Sequence, residues 1–218
     1  KLTPHLVVLT NLDREHLDNY NNSYTKLEYS MLELMNSIPF YGKVFVNGDD
    51  KNSVKLLAKT NRAVFTFGLN KKNNITAKSI KYIDGKKMQF DVIFSKRTFK
   101  VRTNLLGKHN VYNILSAISV CLHLGISITD TIKSLNSFFG ARRRFDVYEN
   151  IYINKYKPII IDDYGHHPTE IHSTLDTINK LYPGKKIVMI FQPHRFSRTK
   201  AYWRLFRDVF KKLDRIIL

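Results

Sequence analysis

At 218 residues, 43% of them hydrophobic, the chain is long enough for one large domain or two modest ones with real cores. That apolar share excludes intrinsic disorder, and no apolar run approaches the roughly 18–20 residues of a membrane-spanning helix. A net charge of +18, from 36 Lys+Arg against 18 Asp+Glu, raises nucleic acid or an anionic membrane as a partner, but the lysines are dispersed among turn residues, as in Lys71-Lys72-Asn73-Asn74, and neither partner is expected.

The first apolar run, Leu6–Leu9, reads as a buried strand ending at Thr10-Asn11. Tyr24–Met35 sets Leu27, Met31, Leu34 and Met35 at helical spacing before Pro39 stops it. Val44-Phe45-Val46 is the next strand, closed by Asn47-Gly48-Asp49-Asp50. From 63 to 101 short strands follow at 64–67, 75–83, 88–94 and 98–101, with Asp84-Gly85 a hairpin turn between two of them. Helices are predicted over 110–124 and 128–138, separated by Gly125. Cys121, in the first of these, reads as a small core residue. A lone cysteine excludes a disulfide framework or a Cys-rich zinc site and fits a reducing, cytoplasmic setting.

After Arg142-Arg143-Arg144 the pattern becomes strand 158–161, helix 168–181 with proline in its first turn, strand 187–191, helix 200–213 and strand 216–218. Such βαβαβ alternation predicts a parallel sheet, and a domain boundary is placed near 142–148. No charged leader precedes the first strand, and the last strand has nothing after it. Both ends read as cut, so the expectation is a piece of a longer protein.

Four clusters sit at strand ends or helix starts, where open α/β sheets bind ligands. Asp13, Glu15, His16 and Asp18 supply oxygen and nitrogen donors for Mg²⁺, or are simply acids favoured at a helix N-terminus. In Gly107-Lys108-His109-Asn110-Val111-Tyr112-Asn113, Asn110 and Asn113 share a helix face and can read both edges of a base, or serve as caps. Arg142-Arg143-Arg144 match phosphate oxygens, or form a solvated linker. The richest pair is Asp162-Asp163-Tyr164-Gly165-His166-His167-Pro168-Thr169-Glu170 with Phe191-Gln192-Pro193-His194-Arg195-Phe196-Ser197-Arg198-Thr199. Both follow strands of the expected sheet, so Asp163, Tyr164, His166, Arg195 and Arg198 are expected to converge on one crevice. Adjacent histidines without an HExxH or a Cys partner argue for a polar substrate and nucleotide site over zinc, or serve only to cap the loop.

These segments, with Thr10–Asp18 and Pro39-Phe40-Tyr41-Gly42, run in the order seen in the Mur ligases, and the chain resembles that family over nearly its whole length. The two long C-terminal strings are similar to those of its alanine-adding members. The resemblance implies an α/β fold, with 1–145 the later part of the central ATP-binding domain and 146–218 the start of a Rossmann-like C-terminal domain. It implies a cytoplasmic, ATP-dependent ligase of peptidoglycan synthesis that joins L-alanine to UDP-N-acetylmuramate through an acyl phosphate, with Mg²⁺ as cofactor. His16 then corresponds to a Mg²⁺ ligand, and His109, Asn110 and Asn113 to adenine-binding positions. Arg144 corresponds to the arginine on the ATP phosphates and Asp163 to the acid on the ribose. Tyr164, His166, Arg195 and Arg198 correspond to positions that receive L-alanine and the reacting carboxylate. Leu12-Asp13-Arg14-Glu15-His16 departs from the usual Ile-Glu-x-Asp-His, and Leu106 replaces the usual proline before Gly107. No Gly-x-x-Gly-Lys-Thr phosphate loop occurs in these residues, so catalysis by them alone is not expected. A non-catalytic truncated relative is the alternative; a basic nucleic-acid module is the remoter one.

Overall fold

The computed structural model describes residues 3–14 and 17–218. The chain divides into two compact units, Lys1–Lys81 with Gln89–Thr103 and His109–Ser137, and Tyr82–Met88 with Asn104–Lys108 and Phe138–Leu218.

A six-stranded sheet in sequential order, β1-β2-β3-β4-β5-β6, dominates the N-terminal part. Its first three strands, β1 (Leu6–Leu9), β2 (Lys43–Asn47) and β3 (Val64–Gly68), run parallel, with Val7 opposite Val44 and Val44 opposite Val64. Strand β4 (Ile75–Ile83) continues the parallel pairing through Phe67↔Ile75 and Gly68↔Thr76. Val44, Phe45 and Val46 are fully buried, as expected of a strand covered on both faces, which is why the sequence there is a continuous apolar run. On one face, α1 (Tyr24–Asn36) and α2 (Lys51–Leu57) bring Leu27, Met35 and Leu56 onto Val7, Leu9, Val44 and Val46. The Ser23 side chain caps α1 by accepting from Lys26 N.

Two tight turns lead from β4 into β5 (Lys87–Phe94) and from β5 into β6 (Arg97–Thr103). In the first, Asp84 and Gly85 have φ of 52° and 65°, the left-handed pair a two-residue hairpin requires. The second places Ser95 and Lys96 at 49° and 62° with no glycine to announce it. Helices α3 (Lys108–His123) and α4 (Ile128–Ser137) follow, α3 burying Val111, Ile114, Leu115 and Ile118 at helical spacing. Cys121 is half-buried rather than a core residue.

In the second unit β7 (Asp146–Tyr148) pairs antiparallel with β8 (Ile160–Asp162), while β9 (Val188–Ile190) pairs parallel with β10 (Arg215–Ile217). Here the expected single βαβαβ sheet divides. Among the described residues β8 bonds to β7 and not to β9, and an apolar cleft of about 560 Å³ lined by Ile159, Ile161, Leu175 and Met189 separates them. Three-residue strands offer few ladder bonds, and the short, polar Asp146-Val147-Tyr148 gave no strand signal. Helix α5 (Pro168–Leu181) falls where it was expected, with proline at its start and a capping box between His167 and Glu170. The helix expected over 200–213 begins earlier and is two, α6 (Phe196–Ala201) and α7 (Trp203–Phe210), because Tyr202 leaves helical backbone at φ −110°, ψ 18°. Phe191, Phe206 and Val209 pack with Ile171 and Leu175 as the core of this unit. No described helix is long and apolar enough to cross a membrane.

Candidate functional site

In the first unit the loops after β1, β2 and β3 share the C-terminal edge of a parallel sheet, and a dense hydrogen-bond network joins them. Asn47 Nδ2 donates to Thr10 O at 2.9 Å and Asn52 Nδ2 to Leu12 O at 2.9 Å. Leu12 N donates to Asp50 Oδ2 at 3.1 Å. That same oxygen caps α2 by accepting Ser53 N at 2.8 Å and the Ser53 hydroxyl at 2.5 Å. Its neighbour Asp49 faces another way and accepts from Leu69 N at 2.5 Å, Asn73 Nδ2 at 2.9 Å and the Tyr112 hydroxyl at 3.2 Å. Burial first, and then the Asp49 carboxylate, push the Tyr112 phenol up to about 12, so it stays a donor at any working pH.

Tyr112 lies on the first turns of α3, between the two asparagines singled out from the sequence. Asn113 Nδ2 donates to Asn110 Oδ1 at 3.1 Å, so the pair does share a face. His109 and Asn110 are half-buried and Asn113 is exposed. His16 lies outside the described residues. Of its neighbours, Asp13 accepts from Arg14 N at 2.7 Å. Among the described residues no three His, Cys, Asp or Glu side chains form a group able to hold a metal ion. The Phe40-Tyr41 pair belongs to a different place: Tyr41 stacks near His5 at 5.7 Å, before β1 and β2 begin, at the opposite edge of the sheet.

In the second unit, Tyr164 has the guanidinium of Arg143 at 5.4 Å and that of Arg144 at 5.7 Å from its ring centre, and His166 edge-on at 5.3 Å. His166 in turn lies 6.4 Å from His194 between ring centres, so the loops after β8 and β9 do converge although their strands do not pair. Arg144 also reaches Glu170 at 3.5 Å. Burial works to raise the pKa of Glu170, but the backbone amides of His166 and His167, with the charges of His166 and Arg144, outweigh it and lower it.

The remaining residues of the expected crevice occupy different environments. Asp163 accepts Phe145 N at 3.1 Å on one oxygen and Gly165 N at 2.6 Å on the other, which fastens the loop onto the arginine segment. Arg198 is buried, its Nη1 donating to His194 O at 3.4 Å, whereas Arg195 is exposed at φ 66°. Placed three apart, the two arginines occupy different environments. Asp49 and Asp50 fell outside the clusters read from the sequence, and Tyr112, Arg143 and Glu170 lay within them without a role of their own. A signal existed for the acids, since Asn47-Gly48-Asp49-Asp50 follows a buried strand, but it reads equally as a plain turn.

The Mur ligase middle domain matches residues 1–121, and the Mur ligase glutamate ligase domain matches residues 143–218. UDP-N-acetylmuramate–L-alanine ligases of Lawsonia intracellularis and Aquifex aeolicus are 41% and 39% identical over the whole chain, which covers 47% of each. The chain thus spans about half the length of the curated relatives it matches. A MurC crystal structure from Thermotoga maritima aligns at TM-score 0.73 and 26% identity over 99% of this chain and 51% of its own. A MurF structure from Acinetobacter baumannii aligns at 0.80 and 22%, covering 98% of this chain and 46% of that one. With its middle-domain match covering more than half the chain, the protein belongs to the Mur ligase family.

Proposed function

We propose that these residues serve an ATP-dependent ligase that joins L-alanine to UDP-N-acetylmuramate in cytoplasmic peptidoglycan synthesis. The observation that carries this reading is whole-chain similarity to alanine-adding relatives, together with the convergence of the two C-terminal loops on Tyr164, His166 and His194. The substrate carboxylate attacks the γ-phosphorus of ATP and ADP leaves; the alanine amine then attacks the acyl carbon, inorganic phosphate leaves, and the nitrogen sheds a proton.

The first unit supplies the base-reading face of Asn110 and Asn113 with His109. The second unit, which includes Phe138–Leu218, supplies cations and imidazoles; we place the domain boundary at 145/146, just after its arginine segment. Arg144 is assigned to the ATP phosphates, Arg195 to the alanine carboxylate as a planar fork, and Arg198 to holding that loop in place and charging it. Tyr164 forms the floor on which Arg143 and Arg144 rest. His166 Nδ1 sits 3.0 Å from Tyr164 O. The tautomer donating there carries its lone pair on Nε2, the form that accepts the proton shed by the alanine nitrogen once the amine has attacked. Asp163 holds the loop and, through the lone pairs left on its oxygens, the ribose. Mg²⁺ would offset phosphate charge, with His16 as the assigned ligand; Asp49 and Asp50 are engaged with protein donors, and no step is routed through the ion.

The test is the full-length ligase with ATP, UDP-N-acetylmuramate and each of L-alanine, D-glutamate and D-alanyl-D-alanine, product being identified by mass. Ligation confined to L-alanine supports the reading; preference for either other amine donor overturns it.

A further inference from the structure

We propose that the adjacent acids Asp49 and Asp50 are positioning residues that hold two separate parts of the ligase site, Asp50 the loop leading to His16 and Asp49 the base-reading start of α3. This deepens the functional reading given above and rests on it. Both acids are half-buried and already engaged by protein donors. The two consecutive carboxylates point to different partners, and every partner belongs to the same edge of the first unit.

Asp50 takes Leu12 N at 3.1 Å while capping α2 through Ser53. Leu12 is itself buried, and its carbonyl accepts from Asn52 Nδ2, so both polar groups of its backbone are engaged by the β2–α2 connection. His16 lies four positions further along the sequence from Leu12. Asp49 instead collects the β3–β4 loop through Leu69 N, Asn70 N and Asn73 Nδ2, and adds Tyr112 across 63 residues of sequence. Gly68 allows the knot to close, because a Cβ there would lie 2.8 Å from Asp49 Cγ. Tyr112 stands between Asn110 and Asn113, so its phenol fixes the rotation of the face that carries them.

A purely structural pair would affect both kinetic constants through stability alone. Positioning of two different parts predicts a split. Ser is a good N-cap but too short to reach Leu12 N as well, so Asp50→Ser keeps the α2 cap and loses the fastening. In the full-length ligase it is expected to lower kcat about tenfold or more, with KM for ATP unchanged within about twofold. Asp50→Asn keeps an acceptor oxygen and should recover most of the rate. Tyr112→Phe removes one hydroxyl and keeps the ring, and is expected to raise KM for ATP roughly three- to tenfold, the scale of one hydrogen bond, with kcat little changed. Thermal melting of all three variants accompanies the kinetics. The inference is overturned if Asp50→Ser and Tyr112→Phe move the same constant, if neither moves one, or if Asp50→Asn is as impaired as Asp50→Ser. Wild-type enzyme that ligates no L-alanine would instead sink the functional reading, a failure visible before any variant is made.

Discussion

The two candidate regions use charge in opposite ways. At the β-strand edge of the first unit, Asp49 and Asp50 accept from backbone, amide and hydroxyl donors of the protein itself. The loops of the second unit instead gather Arg143, Arg144, His166 and His194 around an exposed tyrosine, with Arg195 open to solvent. Charged residue type does not by itself separate a ligand from a fastener; the donors and acceptors already spent on protein do. By that measure the first region is a prebuilt frame and the second an anion-receiving surface.

The largest effect expected from this contrast is complete loss. Neither region of the 218-residue chain contains the glycine-rich lysine loop that cradles the β- and γ-phosphates. Incubated alone with ATP, Mg²⁺, UDP-N-acetylmuramate and L-alanine, this chain should release no ADP above background. Robust product would show that the frame itself binds nucleotide by another route.

Next come the two arginines, which the structure separates. Arg198→Ala in the full-length ligase removes a buried guanidinium and should cost on the order of 2–5 kcal/mol in kcat/KM, with a lower melting temperature and no rescue by Lys. Arg195→Ala should raise KM for L-alanine about tenfold or more while leaving the melting temperature unchanged, as befits an exposed side chain meeting its partner only in the complex. If the two variants behaved alike in kinetics and melting, the difference in burial would carry no functional meaning.

Asp163 tests the comparison from inside the second region, because it is a fastener there. Replacing it with Ala strands the Phe145 and Gly165 amides, and about 1–3 kcal/mol of stability should be lost for those partly buried donors. A ribose contact without a fastening role would raise KM for ATP and leave melting untouched. Chemical denaturation of Asp163→Ala beside ATP kinetics separates the two.

Much of this fold was legible because it obeys simple periodicities. Val44-Phe45-Val46 read as a strand from its apolar run, and Pro168 announced the start of α5. Helix α2 escaped notice because its seven residues are short and mostly polar, its start marked only by an Asp50 cap that also suits a turn. The Ser95-Lys96 turn carries no glycine, and β7 is three residues long, so neither had a local signature. Site residues followed the same rule. Those in contiguous strings, such as Asp163 to His166, could be named from sequence. The Asp49–Tyr112 bond could not, since it is made by the fold across 63 positions.

The smallest expected effect concerns Glu170, an acid that serves both uses of charge. Glu170 fastens, accepting His166 N at 3.0 Å and His167 N at 3.1 Å, and it also answers a cation, Arg144 at 3.5 Å. Its pKa is lowered from 4.5 in the folded state, so the folded chain binds this proton less readily than the unfolded one. Its stabilising contribution is therefore fully present above about 4.5 and is lost as pH falls through the lower folded value. Glu170→Gln keeps an acceptor for the two amides but removes the charge at every pH. Because the Arg144 pair is substantially exposed, screening holds the neutral-pH difference between wild type and variant below about 1 kcal/mol. Melting curves from pH 7 to pH 3 should show wild type more stable at neutrality and the two converging below 4.5. A gap that stayed constant into acid would mean that the carboxylate acts through shape alone, and that the amides, not the charge, set its value to the fold.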